Sequence, residues 1–243
     1  MASGENETCE QLKLKGNECT KAGKFEEAIL HYTHALKLDS DNYSLYSNRS
    51  YAFLKIQQHY LALQDAEETI KRAPTWAKGY FRRAEVQYAC YLFAEALLSY
   101  TQALQLQPGD STLLDAVNRA AKSDENEMKV DARAPWLGAL IGVIVGILIV
   151  IADSVLTNKP SLKNPLLMIL VMFAISALGY VIARGIRVYI KSQRNSLLQP
   201  PPDLLAEMNS VEEETTNVSN STERNNTRYT KAQARQRYKK GKS

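Results

Sequence analysis

The sequence predicts an all-α protein: a three-repeat helical solenoid with a capping helix, then a two-helix transmembrane hairpin and a disordered basic tail. Three observations predict this fold class. Residues of similar size recur every 34 positions through the first half of the 243-residue chain. Two later stretches, of 18 and 19 residues, are apolar and carry no charge. The C-terminal segment is polar and has almost no apolar residues after Val218.

The repeats are defined by small and aromatic residues that coincide when the sequence is shifted by 34. The coinciding sets are Ala28, Ala62 and Ala96; Tyr32, Ala66 and Tyr100; Ala35, Thr69 and Ala103; and the helix-ending Ser40, Pro74 and Pro108. A 34-residue period with this pattern resembles the tetratricopeptide repeat, and the resemblance implies a pair of antiparallel helices in each unit. The predicted segments are a disordered N-terminus at 1–8, repeats at 9–42, 43–76 and 77–110, and a capping helix at 111–129. Gly16, Gly23, Pro74 and Pro108 are expected to mark turns.

The two uncharged stretches are predicted to span a membrane. Residues 135–152 and 165–183 would reach roughly 27 and 28 Å as helices, close to the hydrocarbon thickness of about 30 Å. A short loop at 153–164 joins the first span to a second helix at 165–190, which has a basic end. The alternative, a pair of buried core helices, is disfavoured because few other elements remain to cover them. Cations are denser at the outer ends than in the loop, so both termini are expected in the cytosol.

Glycines on the first span predict how the hairpin packs. Gly138, Gly142 and Gly146 recur every four residues and share one helix face. Such small-residue stripes let a second helix approach closely. The residues expected opposite are Ala174, Ala177 or Gly179, and Ala183. Packing within the hairpin is favoured over a dimer seam because the second helix is tethered nearby.

The tail at 195–243 is predicted to be disordered because it has too little apolar surface to fold. From residue 224 it carries eight Lys or Arg and no acid. Two interpretations stay open for this run: contact with anionic lipid, and a plain solubilising tail. Glycosylation motifs begin at Asn217, Asn220 and Asn225. With a cytosolic C-terminus, they would never meet the glycosylating enzyme.

Composition excludes several function classes. Residues 1–134 carry 16 Lys or Arg against 19 Asp or Glu, and 135–243 carry 14 against 7, so nucleic acid is not indicated as a partner. Cys9, Cys19 and Cys90 are scattered thiols without metal-ligand spacing, typical of a reducing cytosol. The three histidines accompany no nucleophile-and-base pair and no phosphate-binding loop. No catalytic residue, metal or cofactor is predicted, and His31 with His34 is interpreted as a surface pair.

A binding groove is predicted along the first helices of the repeats. Positions 2, 5, 6 and 9 of each unit share one helical stripe. This stripe carries three cations and two amides, at Lys13, Asn17, Asn48, Lys78 and Arg82. No carboxylate within that set neutralises them. The arrangement suits the C-terminus of a peptide, where an α-carboxylate and a neighbouring acidic side chain present two anions.

These residues resemble a known recognition site. Lys13-x-x-x-Asn17, Asn48 within Ser-Asn-Arg-Ser, and Lys78-x-x-x-Arg82 are similar to the carboxylate clamp of tetratricopeptide co-chaperones. The resemblance covers 9 to about 129, with Cys19 and Ser40 as mild departures. It implies binding of the Glu-Glu-Val-Asp tails of the seventy- and ninety-kilodalton heat-shock chaperones. By the same analogy, Arg82 holds the tail backbone and a neighbouring acid, and the other four residues hold the terminal carboxylates.

The predicted function is therefore that of a membrane-anchored co-chaperone or chaperone receptor whose partners are chaperone tails and the lipid bilayer. The alternative is a membrane scaffold or membrane-shaping protein whose repeats bind a non-chaperone partner. The endoplasmic reticulum is preferred over the mitochondrial outer membrane, because double-spanning apolar hairpins usually insert there.

Overall fold

The computed structural model of the protein describes residues 8–156 and 164–200. Within these ranges every regular element is a helix. The helices are α1 (Cys9–Lys21), α2 (Phe25–Leu38), α3 (Tyr43–Lys55), α4 (His59–Arg72), α5 (Ala77–Ala89), α6 (Phe93–Leu106), α7 (Ser111–Leu156) and α8 (Pro165–Ser196). Most of the predicted loop, the glycosylation motifs and the basic run of the tail lie outside the described residues.

Three helix pairs repeat with the predicted period. Their first helices begin at Cys9, Tyr43 and Ala77, which are 34 residues apart. Thr8 caps α1 in a reciprocal box: its hydroxyl accepts from the Gln11 amide, and its own amide donates to the Gln11 side chain at 2.9 Å. The predicted disordered N-terminus is therefore wrong at its last residue, because these bonds order Thr8.

The core of the pairs is built from the residues that the period singled out. Ala28, Ala62 and Ala96 on the second helices have no exposed surface, and the aligned sets that begin with Tyr32 and Ala35 are also buried. Alanine at these positions leaves room for the facing helix, whereas Tyr32 and Tyr100 fill the wider gaps. The second helices thus lie behind the first helices and leave one face of the latter open.

Each first helix ends in the same turn. Gly23, Gln57 and Tyr91 lie 34 residues apart and have φ angles of 77°, 62° and 61°. The residue after each donates its amide to a carbonyl five residues earlier, at 2.8, 2.9 and 3.0 Å. This is the left-handed helix end that glycine adopts without strain. Two of the three repeats form it without glycine, at a cost of about 1 kcal/mol each.

Gly16 corrects one sequence prediction, since it does not mark a turn. It lies inside α1 and is buried. A Cβ at this position would lie 2.5 Å from Cε1 of Tyr32. The absence of a side chain therefore allows the Tyr32 ring to pack directly on the α1 backbone. Local propensity alone cannot distinguish this use of glycine from a helix stop.

The capping helix and the first predicted span form one helix, not two. The first turns of α7 bury Leu113, Ala116 and Ala120 against the third repeat. The helix then continues through Pro135 to Leu156. A proline removes a single helical hydrogen bond, here to the carbonyl of Asp131, and helix-forming sequence continues on both sides. The predicted break between 129 and 135 is therefore wrong.

The apolar part of α7 packs against α8 through its glycines. A Cβ on Gly138 would collide with the Gly179 carbonyl and the Ala183 methyl. One on Gly142 would lie 2.7 Å from the Ile175 carbonyl. Gly146 lies against Met172, so the three glycines share one helix contact. Ala174 and Ala177, which the sequence also offered, are exposed on another face of α8. Both helices are long and apolar enough to cross a bilayer.

The basic end of α8 docks on the part of α7 that precedes Pro135. Arg187 and Lys191 bind the Asp131 carboxylate, with Nε of Arg187 at 2.6 Å. Arg194 pairs with Glu127, and its guanidinium lies 5.3 Å from the Tyr91 ring. The helix accordingly runs to Ser196, beyond the predicted end at 190 and into the segment predicted as tail. Helix α8 therefore contacts both the capping segment and the third repeat.

Candidate carboxylate-binding groove

Three of the five predicted site residues line one cavity. The first helices α1, α3 and α5 supply Asn17, Asn48 and Arg82 to a cavity of about 250 Å³. Asn48 and Arg82 are one repeat apart, and the 34-residue period places them at the same position of successive helices. The remaining lining residues are Thr20, Lys21, Tyr32 and Tyr51.

Hydrogen bonds fix the orientation of Asn17. The Tyr32 hydroxyl donates to its Oδ1 at 2.8 Å, and Nδ2 of Asn48 donates to the same oxygen at 3.0 Å. Tyr32 is 1% exposed, and burial raises the pKa of its hydroxyl. Because both acceptor sites of Oδ1 are occupied, Asn17 turns its amide donors toward other partners. This arrangement suits an incoming oxygen acceptor.

Lys78 and Arg82 together line a second cavity, of about 260 Å³, where α5 meets the start of α7. The Lys78 ammonium lies 5.5 Å from the centre of the Trp76 ring. Desolvation, followed by the charge of Arg82, lowers the pKa of Lys78, and the charge of Lys13 acts in the same direction. The cations of the first and third repeats therefore repel one another across the groove. A bound anion would relieve this repulsion.

Arg82 lies between the two cavities and stacks on aromatic rings. Its guanidinium carbon is 4.6 Å from the centre of the Tyr51 ring and 5.8 Å from that of Phe81. The side chain is 14% exposed. Its Nε is buried and makes no hydrogen bond to the described residues. Stacking of this kind holds a guanidinium in place while its edge remains available to an anion.

Carboxylates do accompany the cations, which corrects the predicted charge of the groove. Glu10 pairs with Lys13 at 3.6 Å, and Glu85 pairs with Arg82 at 2.5 Å. Each acid lies three residues from its cation, where a helix brings side chains together. Lys13 lines neither of the two cavities described above. The charge of Lys13 nevertheless contributes to the lowered pKa of Lys78.

Sequence reasoning missed several residues of the groove. Tyr51 and Glu85 follow Asn17 by one and two repeats, so the period could have identified both. Glu10 and Lys78 likewise share one repeat position. Tyr32 could not be assigned to the site in this way, because it comes from a second helix. Its hydroxyl reaches the groove only because Gly16 lets its ring lie on α1.

Part of the chain matches a known protein family. The family model described as TPR repeat matches residues 16–57. That range contains the second half of α1 and all of α2 and α3. The three helical pairs are therefore similar to tetratricopeptide repeats. Asn17 and Asn48 fall within the matched range, and Lys78 and Arg82 occupy the third tetratricopeptide repeat.

Curated relatives match a little under half of the chain. The Hsp70-Hsp90 organizing protein of Triticum aestivum is 39% identical over 114 residues, which are 47% of this chain and 20% of the relative. The Hsp70-Hsp90 organising protein of Plasmodium falciparum is 33% identical over 46% of this chain and 45% of its own length. Serine/threonine-protein phosphatase 5 of Rattus norvegicus is 36% identical over 45% of this chain and 22% of its own. The matches thus span less than half of each relative, on the tetratricopeptide repeat domain.

Solved tetratricopeptide repeat domains are also similar. The first TPR of Spaghetti (RPAP3), solved with the HSP90 peptide SRMEEVD, is 28% identical with a TM-score of 0.46, over 48% of this chain and 92% of that one. The second TPR domain of human RPAP3, solved with the HSP70 peptide SGPTIEEVD, is 30% identical with a TM-score of 0.43. That match covers 45% of this chain and 92% of the solved one.

Proposed function

We propose that the protein is a membrane-anchored co-chaperone or chaperone receptor. Its tetratricopeptide groove binds the C-terminal Glu-Glu-Val-Asp tails of heat-shock chaperones of the seventy- and ninety-kilodalton classes. The hairpin of α7 and α8 holds the groove at the cytosolic face of a membrane. The observation that carries this proposal is the meeting of Asn17, Asn48 and Arg82 at one cavity, with Lys78 and Lys13 adding charge nearby.

The chemistry of the groove supports recognition of a free C-terminus. Asn17 presents amide donors, and Arg82 presents a guanidinium whose Nε is unpaired among the described residues. An α-carboxylate and an acidic side chain together accept from several such donors, and charge-assisted bonds of this kind are stronger than neutral ones. A peptide without a free end offers one anion fewer. The likeness to Hsp70-Hsp90 organizing proteins over the same residues supports the choice of ligand.

Binding is tested by titrating a labelled tail peptide into the full chain in detergent micelles. A four- or five-residue tail should bind with roughly micromolar affinity, near −8 kcal/mol. Lys78→Ala and Arg82→Ala should each weaken binding by about 2 to 3 kcal/mol, because a desolvated anion loses its partner. Lys71→Ala is the matched control, since Lys71 is a highly exposed cation on the second helix α4. Equal losses for all three variants would contradict a defined site.

The length and composition of α7 and α8 support membrane anchoring, and their interlocking glycines support a hairpin. We place both termini in the cytosol, and the endoplasmic reticulum is the proposed membrane. A membrane fraction should therefore keep the chain after alkaline carbonate washing. Asn217, Asn220 and Asn225 should stay unglycosylated, whereas an acceptor motif engineered between the spans should be modified. Release by carbonate would contradict the anchor, and modification of the native motifs would contradict the orientation.

A further inference from the structure

The third repeat carries an acid at a groove position where the other repeats do not. Asn17, Tyr51 and Glu85 lie one repeat apart on α1, α3 and α5. In the third repeat, Oε2 of Glu85 lies 2.5 Å from Nη1 of Arg82. The two side chains are 24% and 14% exposed, so water screens this ion pair less than it would screen a surface pair.

The surroundings of Arg82 make Glu85 its principal anionic partner among the described residues. The Tyr51 and Phe81 rings lie against the guanidinium, and Nε has no hydrogen bond there. The charge of Glu85 also acts on Lys78, where it opposes the lowering of the pKa caused by desolvation and Arg82. One carboxylate thus interacts with both cations of the third repeat.

We propose that Glu85 is a specificity-determining residue, which holds Arg82 in the empty groove and competes with the acidic side chain of a bound tail for its guanidinium. This inference rests on the proposed function. An acid that approaches Arg82 either displaces Glu85 or shares the guanidinium with it and is repelled. In both cases Glu85 lowers the affinity for tails that are acidic beside their terminal residue. A tail with a neutral residue at that position loses less affinity.

The experiment measures fluorescence anisotropy of labelled peptides on the full chain in detergent micelles. Glu85→Gln keeps the shape of the side chain and removes its charge. The affinity for a Glu-Glu-Val-Asp tail is expected to rise about five- to tenfold, since the tail acid no longer competes with a charged partner. Glu26→Gln is the matched control, because it removes one negative charge from an exposed position on the second helix α2. Its affinity should stay within about twofold of the native chain.

Two further arms separate competition from a general charge effect. For a tail with both glutamates replaced by glutamine, the gain from Glu85→Gln should shrink to less than about twofold. In an Arg82→Ala background, Glu85→Gln should likewise give almost no gain, because the contested guanidinium is absent. An equal gain in all arms would contradict competition at Arg82.

Several outcomes would overturn the inference. Unchanged affinity of Glu85→Gln for the acidic tail would show that Glu85 does not compete. Weaker binding would show that Glu85 supports the productive orientation of Arg82. In both cases micromolar binding by the native chain would leave the proposed function standing. Absence of tail binding in the native chain and in Glu85→Gln would overturn both.

Discussion

The Tyr32 hydroxyl, on a second helix, donates a hydrogen bond of 2.8 Å to Oδ1 of Asn17, on a first helix. Asn17 receives a second bond on the same oxygen from Asn48. A buried tyrosine therefore fixes which way a groove amide points. The packing behind the groove and the chemistry inside it are linked through one side chain.

Tyr32→Phe should weaken tail binding while leaving the repeats folded. The variant keeps the buried ring but leaves Asn17 with one bond on Oδ1, so its amide donors are less well oriented. A neutral hydrogen bond contributes about 1 kcal/mol, which corresponds to roughly fivefold in affinity and a similar loss of stability. Peptide titration and thermal unfolding of the full chain measure the two effects separately.

Tyr100→Phe is the matched control for this variant. Tyr100 occupies the same position two repeats later and is equally buried, at 1% exposure. Its hydroxyl interacts with Arg119 and not with Asn17. Tyr100→Phe should lower the thermal stability of the chain and leave its affinity for the tail peptide unchanged. A comparable affinity loss in both variants would contradict the orienting role of Tyr32.

Gly16→Ala should destabilise the first repeat more than Gly23→Ala does. In a helix interior, alanine is normally more stable than glycine by about 0.5 to 1 kcal/mol. Helix propensity alone therefore predicts that Gly16→Ala stabilises the fold. The new methyl would instead meet the Tyr32 ring, and overpacking of this kind costs about 1 to 3 kcal/mol. A methyl group at Gly23 would meet no neighbouring atom. The backbone there has a φ of 77°, which costs alanine about 1 kcal/mol.

Thermal unfolding of the two glycine variants checks this order. Gly16→Ala should also weaken tail binding, since the displaced Tyr32 no longer positions Asn17. A Gly16→Ala variant as stable as the native chain would show that the contact between Tyr32 and α1 does not govern packing.

Tail affinity should fall at alkaline pH through Lys78. The pKa of Lys78 lies below its ordinary value of 10.5 in the empty groove, and a bound carboxylate raises it by favouring the ammonium. Affinity is therefore constant near neutral pH and falls as the pH rises through the lowered pKa. Without a ligand, the same shift destabilises the folded state at neutral pH, and this penalty disappears above the ordinary value.

Titrations of the tail peptide between pH 7 and 10.5 test this pH dependence. Lys78→Arg keeps its charge over that range, so the fall in affinity should move to higher pH. Lys71→Arg changes an exposed cation away from the groove and should leave the profile unchanged. Identical profiles for the native chain and Lys78→Arg would exclude Lys78 as the titrating group.

Reversing the charge of Arg194 should release the basic end of α8 from the repeats. Arg194 pairs with Glu127, which is 12% exposed, and also reaches the Tyr91 carbonyl at 3.4 Å. Loss of this partly buried pair should cost about 1 to 2 kcal/mol and speed hydrogen exchange in residues 184–196 roughly tenfold. The double variant Glu127→Arg with Arg194→Glu should restore slow exchange only in part, because Glu127 also pairs with Arg187 at 3.6 Å and that pair is not rebuilt. Lys129→Glu, at an exposed position of α7, should leave exchange unchanged.

Much of the repeat fold follows from a local pattern. Ala28, Ala62 and Ala96 are the points where helices touch, and touching residues must be small in every unit. The period therefore predicted the three helix pairs, which the structure confirms. Composition alone likewise identified the two apolar helices. The five groove positions came from the same helical spacing, and their joint role in binding stays a prediction.

The errors in the sequence prediction have different physical causes. Gly16 resembles a helix stop until the Tyr32 ring lies on it, and Pro135 resembles a boundary although α7 continues through it. The predicted set of cations and amides left out two acids that occupy the same groove positions of the repeats. Glu10 and Glu85 lie one helical turn from their cations, so the spacing rule applied to every charged residue would have found them.

Recognition of a free C-terminus by the groove is tested most directly by comparing two peptides. The full chain is titrated with a Glu-Glu-Val-Asp tail peptide and with the same peptide amidated at its C-terminus. The free acid should bind with roughly micromolar affinity. The amide should bind at least about thirtyfold more weakly, because it loses charge-assisted bonds of about 2 kcal/mol. Equal affinities for the two peptides would contradict recognition of the terminal carboxylate.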